Sequence, residues 1–176
     1  VLCPACYGEL REMLRAALAM DGPVAVRYPR GTEGRQYPDW RGESASVLRQ
    51  GRDATLVSYG VMTDELLSAA KTLAEGGFEA EVIKLHRIAP LDPEPVLDSV
   101  RRTGRLLVLE DCNENGSIGQ QLAAALAQAG VKAEQVSLLN LKQSFAPQGT
   151  VAQLRRLMGI DAEAVVHAFS GAEPRS

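Results

Sequence analysis

Thr55-Leu56-Val57-Ser58-Tyr59 and, further along, Arg105-Leu106-Leu107-Val108-Leu109 are short runs that stay apolar on almost every position. A strand with one wet face alternates polar and apolar residues, whereas a strand covered by helices on both faces does not have to. The two runs therefore predict the inner strands of a mostly parallel sheet. Further strand candidates lie at Ala45–Arg49, Ala80–Leu85 and Gln135–Leu139, and helical patterns separate most of them. A repeat of about 20 to 25 residues per strand and helix suits right-handed crossover connections. The expected fold class is α/β, in three α/β/α layers around five strands.

The helices between these strands carry start and stop signals. Leu66, Leu67, Ala70 and Leu73 form one side of a helix over about residues 64–75, with Thr63 expected as its cap and Gly76-Gly77 as its end. Asp92-Pro93-Glu94 opens the next helix with a capping acid and a proline at its first turn, and Val96, Leu97 and Val100 face inward. Ser117-Ile-Gly-Gln120 and Thr150-Val-Ala-Gln153 are capping boxes for two later helices, the first containing Leu122 and Leu126, the second Leu154 and Leu157.

The amino end is organised differently. Leu10, Met13, Leu14, Ala17 and Leu18 make one stripe of a helix from Glu9 to Met20, which Asp21-Gly22-Pro23 stops. A strand is expected at Val24–Tyr28, carrying Arg27, and Pro29 ends it. Arg27 and Arg30 are thereby delivered to a stiff Pro-Gly turn, which is how a phosphate clamp is built. The plainer alternative is that one arginine merely pairs with an acid. This helix-strand unit is too small to bury itself and reads as the end of something larger. From Pro29 to Gly51 the composition is that of a linker, with Trp40 expected to pin it to a neighbouring surface. The expected division is residues 1–31, a helix plus a strand; residues 32–51, a linker with the first edge strand; and residues 52–176, the main domain.

With 176 residues, 45% of them hydrophobic, the chain can build an ordinary core, and a net charge of −3 with 5% aromatics gives no platform for nucleic acid. No apolar run reaches the length of a membrane span and no signal peptide is visible, so a cytoplasmic protein is expected. Cys3-Pro-Ala-Cys6 has redox spacing but no preceding strand, and Cys112, His86 and His167 are too scattered for a zinc site. Glu110, Asp111 and Glu114 cluster before a helix, where acids favour the helix start. Asn113–Gly119 is only a weak phosphate-loop candidate. His86 follows a strand and is a candidate for titration near neutrality.

Several motifs occur together and in order: Glu9-Leu-Arg-Glu-Met-Leu14, Gly22-Pro-Val-Ala-Val-Arg-Tyr-Pro-Arg-Gly31, Ser58-Tyr-Gly60, Ala89-Pro-Leu-Asp92, Leu109-Glu-Asp111, Gly116-Ser-Ile-Gly119 and Phe145-Ala-Pro-Gln-Gly-Thr150. In these the chain resembles the carboxyl-terminal part of the transketolase-like 1-deoxy-D-xylulose-5-phosphate synthases. It departs from the family's usual Glu-Glu-Asn at Glu110-Asp111-Cys112. The resemblance implies residues 1–31 as a remnant of the pyrimidine-binding domain and residues 52–176 as the transketolase carboxyl-terminal domain. It also implies a first strand, Ala45–Arg49, antiparallel to the others, and the tight turn at Gln50–Asp53 would pair it with Thr55–Tyr59. The complete enzyme of such a family is a magnesium- and thiamine-diphosphate-dependent homodimer. It condenses pyruvate with glyceraldehyde 3-phosphate, with loss of carbon dioxide, for isoprenoid, thiamine and pyridoxal synthesis. The family's cofactor motifs precede Val1, so the chain alone is expected to bind no cofactor and to be inactive, its partners being the remaining domains of the same enzyme. Substrate-phosphate binding falls to Arg27 and Arg30, with no catalytic or metal-binding residue expected here. The competing expectation is a non-catalytic docking or assembly subunit with the same fold.

Overall fold

A computed structural model describes residues 1–31, 33–143 and 145–171. Strands β1 (Ala45–Arg49), β2 (Ala54–Tyr59), β3 (Ala80–Leu85), β4 (Arg105–Leu109) and β5 (Gln135–Leu139) form one sheet in the order β1-β3-β2-β4-β5. β1 is antiparallel to β3, and the remaining pairs are parallel. Every residue of β2 and β3 is buried, as the near-continuous apolar character of β2 requires; the charged Glu81 and Lys84 of β3 are buried against partners within the chain.

Alternation along the strands feeds two cores. Leu56, Val82, Leu107 and Leu109 pack under α2 (Thr63–Glu75) and Val165 of α6 (Ala162–His167). Val57, Ile83, Leu106 and Val108 turn the other way, onto Val96, Leu97 and Val100 of α3 (Glu94–Thr103) and Leu122 and Leu126 of α4 (Ile118–Gln128). The result is the three-layer arrangement. Helix ends follow the expected chemistry closely. Gly77 takes φ 82° beyond α2, where a side chain would be strained, and Thr150 and Gln153 make both bonds of the capping box of α5 (Val151–Leu157). At Ser117 only one bond of the expected box forms, from the Gln120 amide to the serine hydroxyl. Thr63 is the first residue of α2 and not its cap, because a short 3₁₀ turn over Gly60–Met62 leads into the helix. Pro93, not Asp92, sits at the cap of α3.

Three expectations fail. The turn at Gln50–Asp53 does not make a β1–β2 hairpin, since β2 is flanked by β3 and β4 and has no free edge. Instead the turn steps over the start of β3, with the Arg52 and Asp53 amides both donating to the Glu79 carbonyl at 2.8 and 2.9 Å. Two inter-strand spacings are about 10 Å, within reach of four extended residues at about 3.4 Å each. Second, Val24–Tyr28 is not a strand. Val26 makes an isolated parallel bridge with Leu2, and a single rung without a second neighbour does not extend into a ladder. Third, α1 (Tyr7–Ala19) buries Met13 against Leu2 and Trp40, while Leu14 and Leu18 stay 45% and 90% exposed. α5, likewise, buries no residue.

The step over β3 demands a glycine. A Cβ on Gly51 would lie 2.2 Å from the Ala80 carbonyl carbon and the Glu81 nitrogen, and backbone cannot give way as a side-chain tip can. Gly51→Ala is expected to destabilise the fold by at least about 2 kcal/mol, read as a lower urea midpoint at unchanged slope. A midpoint equal to wild type would refute the tight crossing.

Candidate functional site

The parallel strands end on one side of the sheet, where open α/β folds bind ligands at the point of reversing strand order. Here that point lies between β2, which leads on to β3, and β4, which adds to the opposite edge. Val61 follows β2, Asp111 follows β4 and Leu141 follows β5, and all three line a cleft of about 480 Å³. Pro29, Arg30 and Gly31 close it from the amino-terminal segment.

Arg27 and Arg30 take different roles. The Arg27 Nη2 donates to Asp111 Oδ1 at 2.6 Å, and its guanidinium carbon lies 5.3 Å from the centre of the Tyr59 ring. Burial works against the Arg27 charge, but the Asp111 hydrogen bond and carboxylate outweigh it and hold its pKa above the ordinary arginine value. Arg30 is exposed on the cleft wall and, among the described residues, meets no carboxylate. The plainer reading of a paired arginine thus describes Arg27, whereas Arg30 has no carboxylate partner among the described residues.

The acids before α4 have separate tasks. Tyr59 donates its hydroxyl to Glu110 Oε1 at 3.0 Å, and Glu110 accepts the Ile118 and Gly119 amides at 2.9 and 2.8 Å. A buried carboxylate therefore occupies the start of α4, which leaves these two amides of the Asn113–Gly119 loop unavailable to a phosphate. Close contact explains Gly119, whose Cβ would come within 2.8 Å of Leu138 Cδ2 and 3.0 Å of Glu110 Oε2. Burial, then the Glu110 charge, pushes the Tyr59 hydroxyl far above its usual pKa, and the same two causes push Cys112 up to about 11. Cys3, raised by burial to about 11, is no thiolate, and Cys3, Cys6 and Cys112 are all free.

A second polar centre carried little signal in the sequence. Lys84, on β3, donates to Glu9 of α1, and both side chains are essentially fully buried. The Ala5 amide donates to the other Glu9 oxygen at 2.8 Å, and the ammonium lies 4.2 Å from the centre of the Tyr37 ring. The Tyr37 hydroxyl is bonded in turn to Asp64. Burial lowers the Lys84 pKa and the Glu9 carboxylate opposes that shift. The only hint in the sequence is a pair of charged residues, Glu81 and Lys84, inside a short strand that is otherwise apolar. His86 lies beside this pair, with Nδ1 3.7 Å from Glu9 and Nε2 2.8 Å from Ser46 Oγ. It does not titrate near neutrality. Burial, and next the Lys84 charge, bring it down to about 4. His167 is exposed on α6.

Residues 43–165 match the family model described as the transketolase C-terminal domain. A 1-deoxy-D-xylulose-5-phosphate synthase 1 from Geobacter sulfurreducens is 36% identical over 176 residues, which cover 96% of this chain and 27% of the relative. One from Thermomicrobium roseum is 37% identical over 174 residues, covering 94% and 27%. The chain spans about a quarter of the length of the curated relatives it matches. Among solved structures, a split gene transketolase described as an inactive β4 tetramer matches with a TM-score of 0.86 at 29% identity, over 97% of this chain and 56% of that one. A transketolase from Campylobacter jejuni shares the fold, with a TM-score of 0.68 at 17% identity over 97% of this chain and 26% of that one.

His86 makes a pH dependence testable. Its folded pKa of about 4 lies below the ordinary histidine value of about 6.5, so the unfolded chain binds more protons between these limits. The contribution of His86 is complete above about pH 6.5 and is lost as pH falls through 4, amounting to about 3 kcal/mol at most. In urea titrations from pH 7 to 4, His86→Gln should show a shallower loss of stability than wild type. Parallel curves would refute the assignment.

Proposed function

Because the chain belongs to the transketolase C-terminal domain family, we propose that it works as the carboxyl-terminal portion of a thiamine-diphosphate-dependent synthase. The reaction would join pyruvate to glyceraldehyde 3-phosphate, giving 1-deoxy-D-xylulose 5-phosphate and carbon dioxide. Identities of 36% and 37% to synthases of that name support the assignment. The observation that carries it is the placement of Arg30 on the cleft at the carboxyl ends of β2, β4 and β5, with Arg27 beside the same wall. A phosphate dianion is a ligand that guanidinium groups suit well. Arg30, which meets no carboxylate among the described residues, would supply charge, and Arg27 a held set of donors.

The rest of the proposal concerns the whole enzyme. Residues 1–31 would complete a pyrimidine-binding domain, residues 32–51 would link it to the carboxyl-terminal domain over residues 52–176, and the enzyme would act as a cytoplasmic homodimer. No helix among the described residues is long and apolar enough to cross a membrane. The described side chains offer no ligand set for the magnesium that accompanies thiamine diphosphate. Among the described residues no three His, Cys, Asp or Glu converge on a possible metal position, and buried Glu9, Glu81 and Glu110 each face a partner within the chain. The proposal therefore assigns the cofactor to the rest of the enzyme and gives this chain a role in substrate binding.

A second reading, a separate assembly subunit, is favoured by the likeness to a split gene transketolase whose tetramer is described as inactive. The two readings share the expectation that this chain alone makes no product. They part on the arginines. In the full-length protein Arg30→Ala should raise the KM for glyceraldehyde 3-phosphate by about tenfold or more, as the loss of a charged phosphate contact implies, with the KM for pyruvate unchanged. Steady-state kinetics with unchanged triose phosphate KM would sink the binding role of Arg30 and leave the assembly reading.

A further inference from the structure

We propose that Asp111 is a positioning residue for the triose phosphate, holding Arg27 at the cleft that Arg30 lines. The inference rests on reading the two arginines as phosphate ligands. Arg30 lines the cleft whereas Arg27 does not, so local geometry alone does not bring the two together there. Asp111 supplies what local geometry lacks. It stands at the end of β4 and lines the same cleft as Arg30, and its carboxylate takes the Arg27 Nη2 at 2.6 Å.

The anchor beneath this pair is rigid. The Tyr59 ring lies under the Arg27 guanidinium, with 5.3 Å between the guanidinium carbon and the ring centre, and the Tyr59 hydroxyl is fixed on Glu110. Glu110 is itself held by the Ile118 and Gly119 amides of α4. A substrate arginine on the amino-terminal segment is thus oriented by the body of the carboxyl-terminal domain. One hydrogen bond to Asp111 leaves four of the five guanidinium N–H groups for other acceptors.

Asp111 also brings a negative charge toward the phosphate, and the two effects oppose each other. The Arg27 and Asp111 side chains are 41% and 33% exposed, so water screens the repulsion. The ordering of a long side chain is not screened, and it is the larger effect here.

The test uses the full-length protein carrying Asp111→Asn, Asp111→Glu or Arg27→Ala, with glyceraldehyde 3-phosphate, unphosphorylated glyceraldehyde and pyruvate as varied substrates. Asn matches Asp in shape, and thermal midpoints check that each variant is folded. For Asp111→Asn the expected result is a five- to tenfold higher KM for the triose phosphate. Its kcat should change less than twofold, and the KM values for glyceraldehyde and pyruvate should stay put, while Asp111→Glu moves back toward wild type. Asp111→Asn overturns the positioning role if its triose phosphate KM is unchanged or lower while Arg27→Ala raises it. Equal rises for all three substrates overturn it as well, since a general structural defect acts that way. If Arg27→Ala leaves the triose phosphate KM unchanged, the underlying phosphate reading of Arg27 fails instead.

Discussion

The buried pair of Glu9 and Lys84 is the constraint on which the arrangement of the two parts of the chain depends. Taking a carboxylate and an ammonium out of water is costly, and their attraction offsets the cost only when the remaining hydrogen-bonding capacity is met. It is met here by the Ala5 amide on Glu9 and the Tyr37 ring face toward Lys84. Each partner comes from a different region: α1, the loop before it, the linker and β3. The pair therefore fixes the amino-terminal segment over one end of the sheet with an accuracy that apolar contacts alone do not provide. Separating the segment would give up the mutual attraction of the pair together with its Ala5 and Tyr37 contacts, which ties α1 to the same body although it buries little of its own surface.

From that docking follows the geometry of the cleft. Leu2 holds Val26 by a single bridge, with the Arg27 amide donating to the Leu2 carbonyl at 2.8 Å. Pro29 to Gly31 then pass across the strand ends. The family's architecture thus explains why an arginine that is distant in sequence from β4 meets Asp111. The arginine-bearing segment and the sheet domain are thus joined by a charged contact at the cleft, Arg27 with Asp111, and by the buried Glu9–Lys84 contact beneath it.

The sequence was most informative about local elements. The limits of β1, β3, β4 and β5 were legible because apolar runs bounded by glycine and charge are decided within the segment itself. Pairing was not. The Gln50–Asp53 turn looks like a hairpin, and only the occupation of both β2 edges shows why β1 must go to β3. Stripe reasoning also overstated the burial of α1, since periodicity shows which face is apolar and not whether a partner covers it. At the site, residue type and the Pro-Gly turn singled out Arg27 and Arg30, but the pairing of Arg27 with Asp111 was not legible, because Asp111 lies 84 residues away. Lys84 escaped notice because a lysine in a strand normally marks a solvated edge, whereas here a distant glutamate makes its burial possible.

The placement of β1 carries a consequence for how the molecule assembles. Its partner β3 gains its position from the parallel pairing with β2 and the packing of the crossover helix α2. β1 precedes both in the chain, yet it has no template until they have come together. Long-range pairings of this kind form after the local units that create their edge. The central strands and their helices are thus the natural nucleus, and the edge strand, linker and arginine segment are the late additions. The same order in reverse makes that segment the part able to detach first while the central layers stay closed, so Arg27 and Arg30 sit toward the least cooperative end of the molecule.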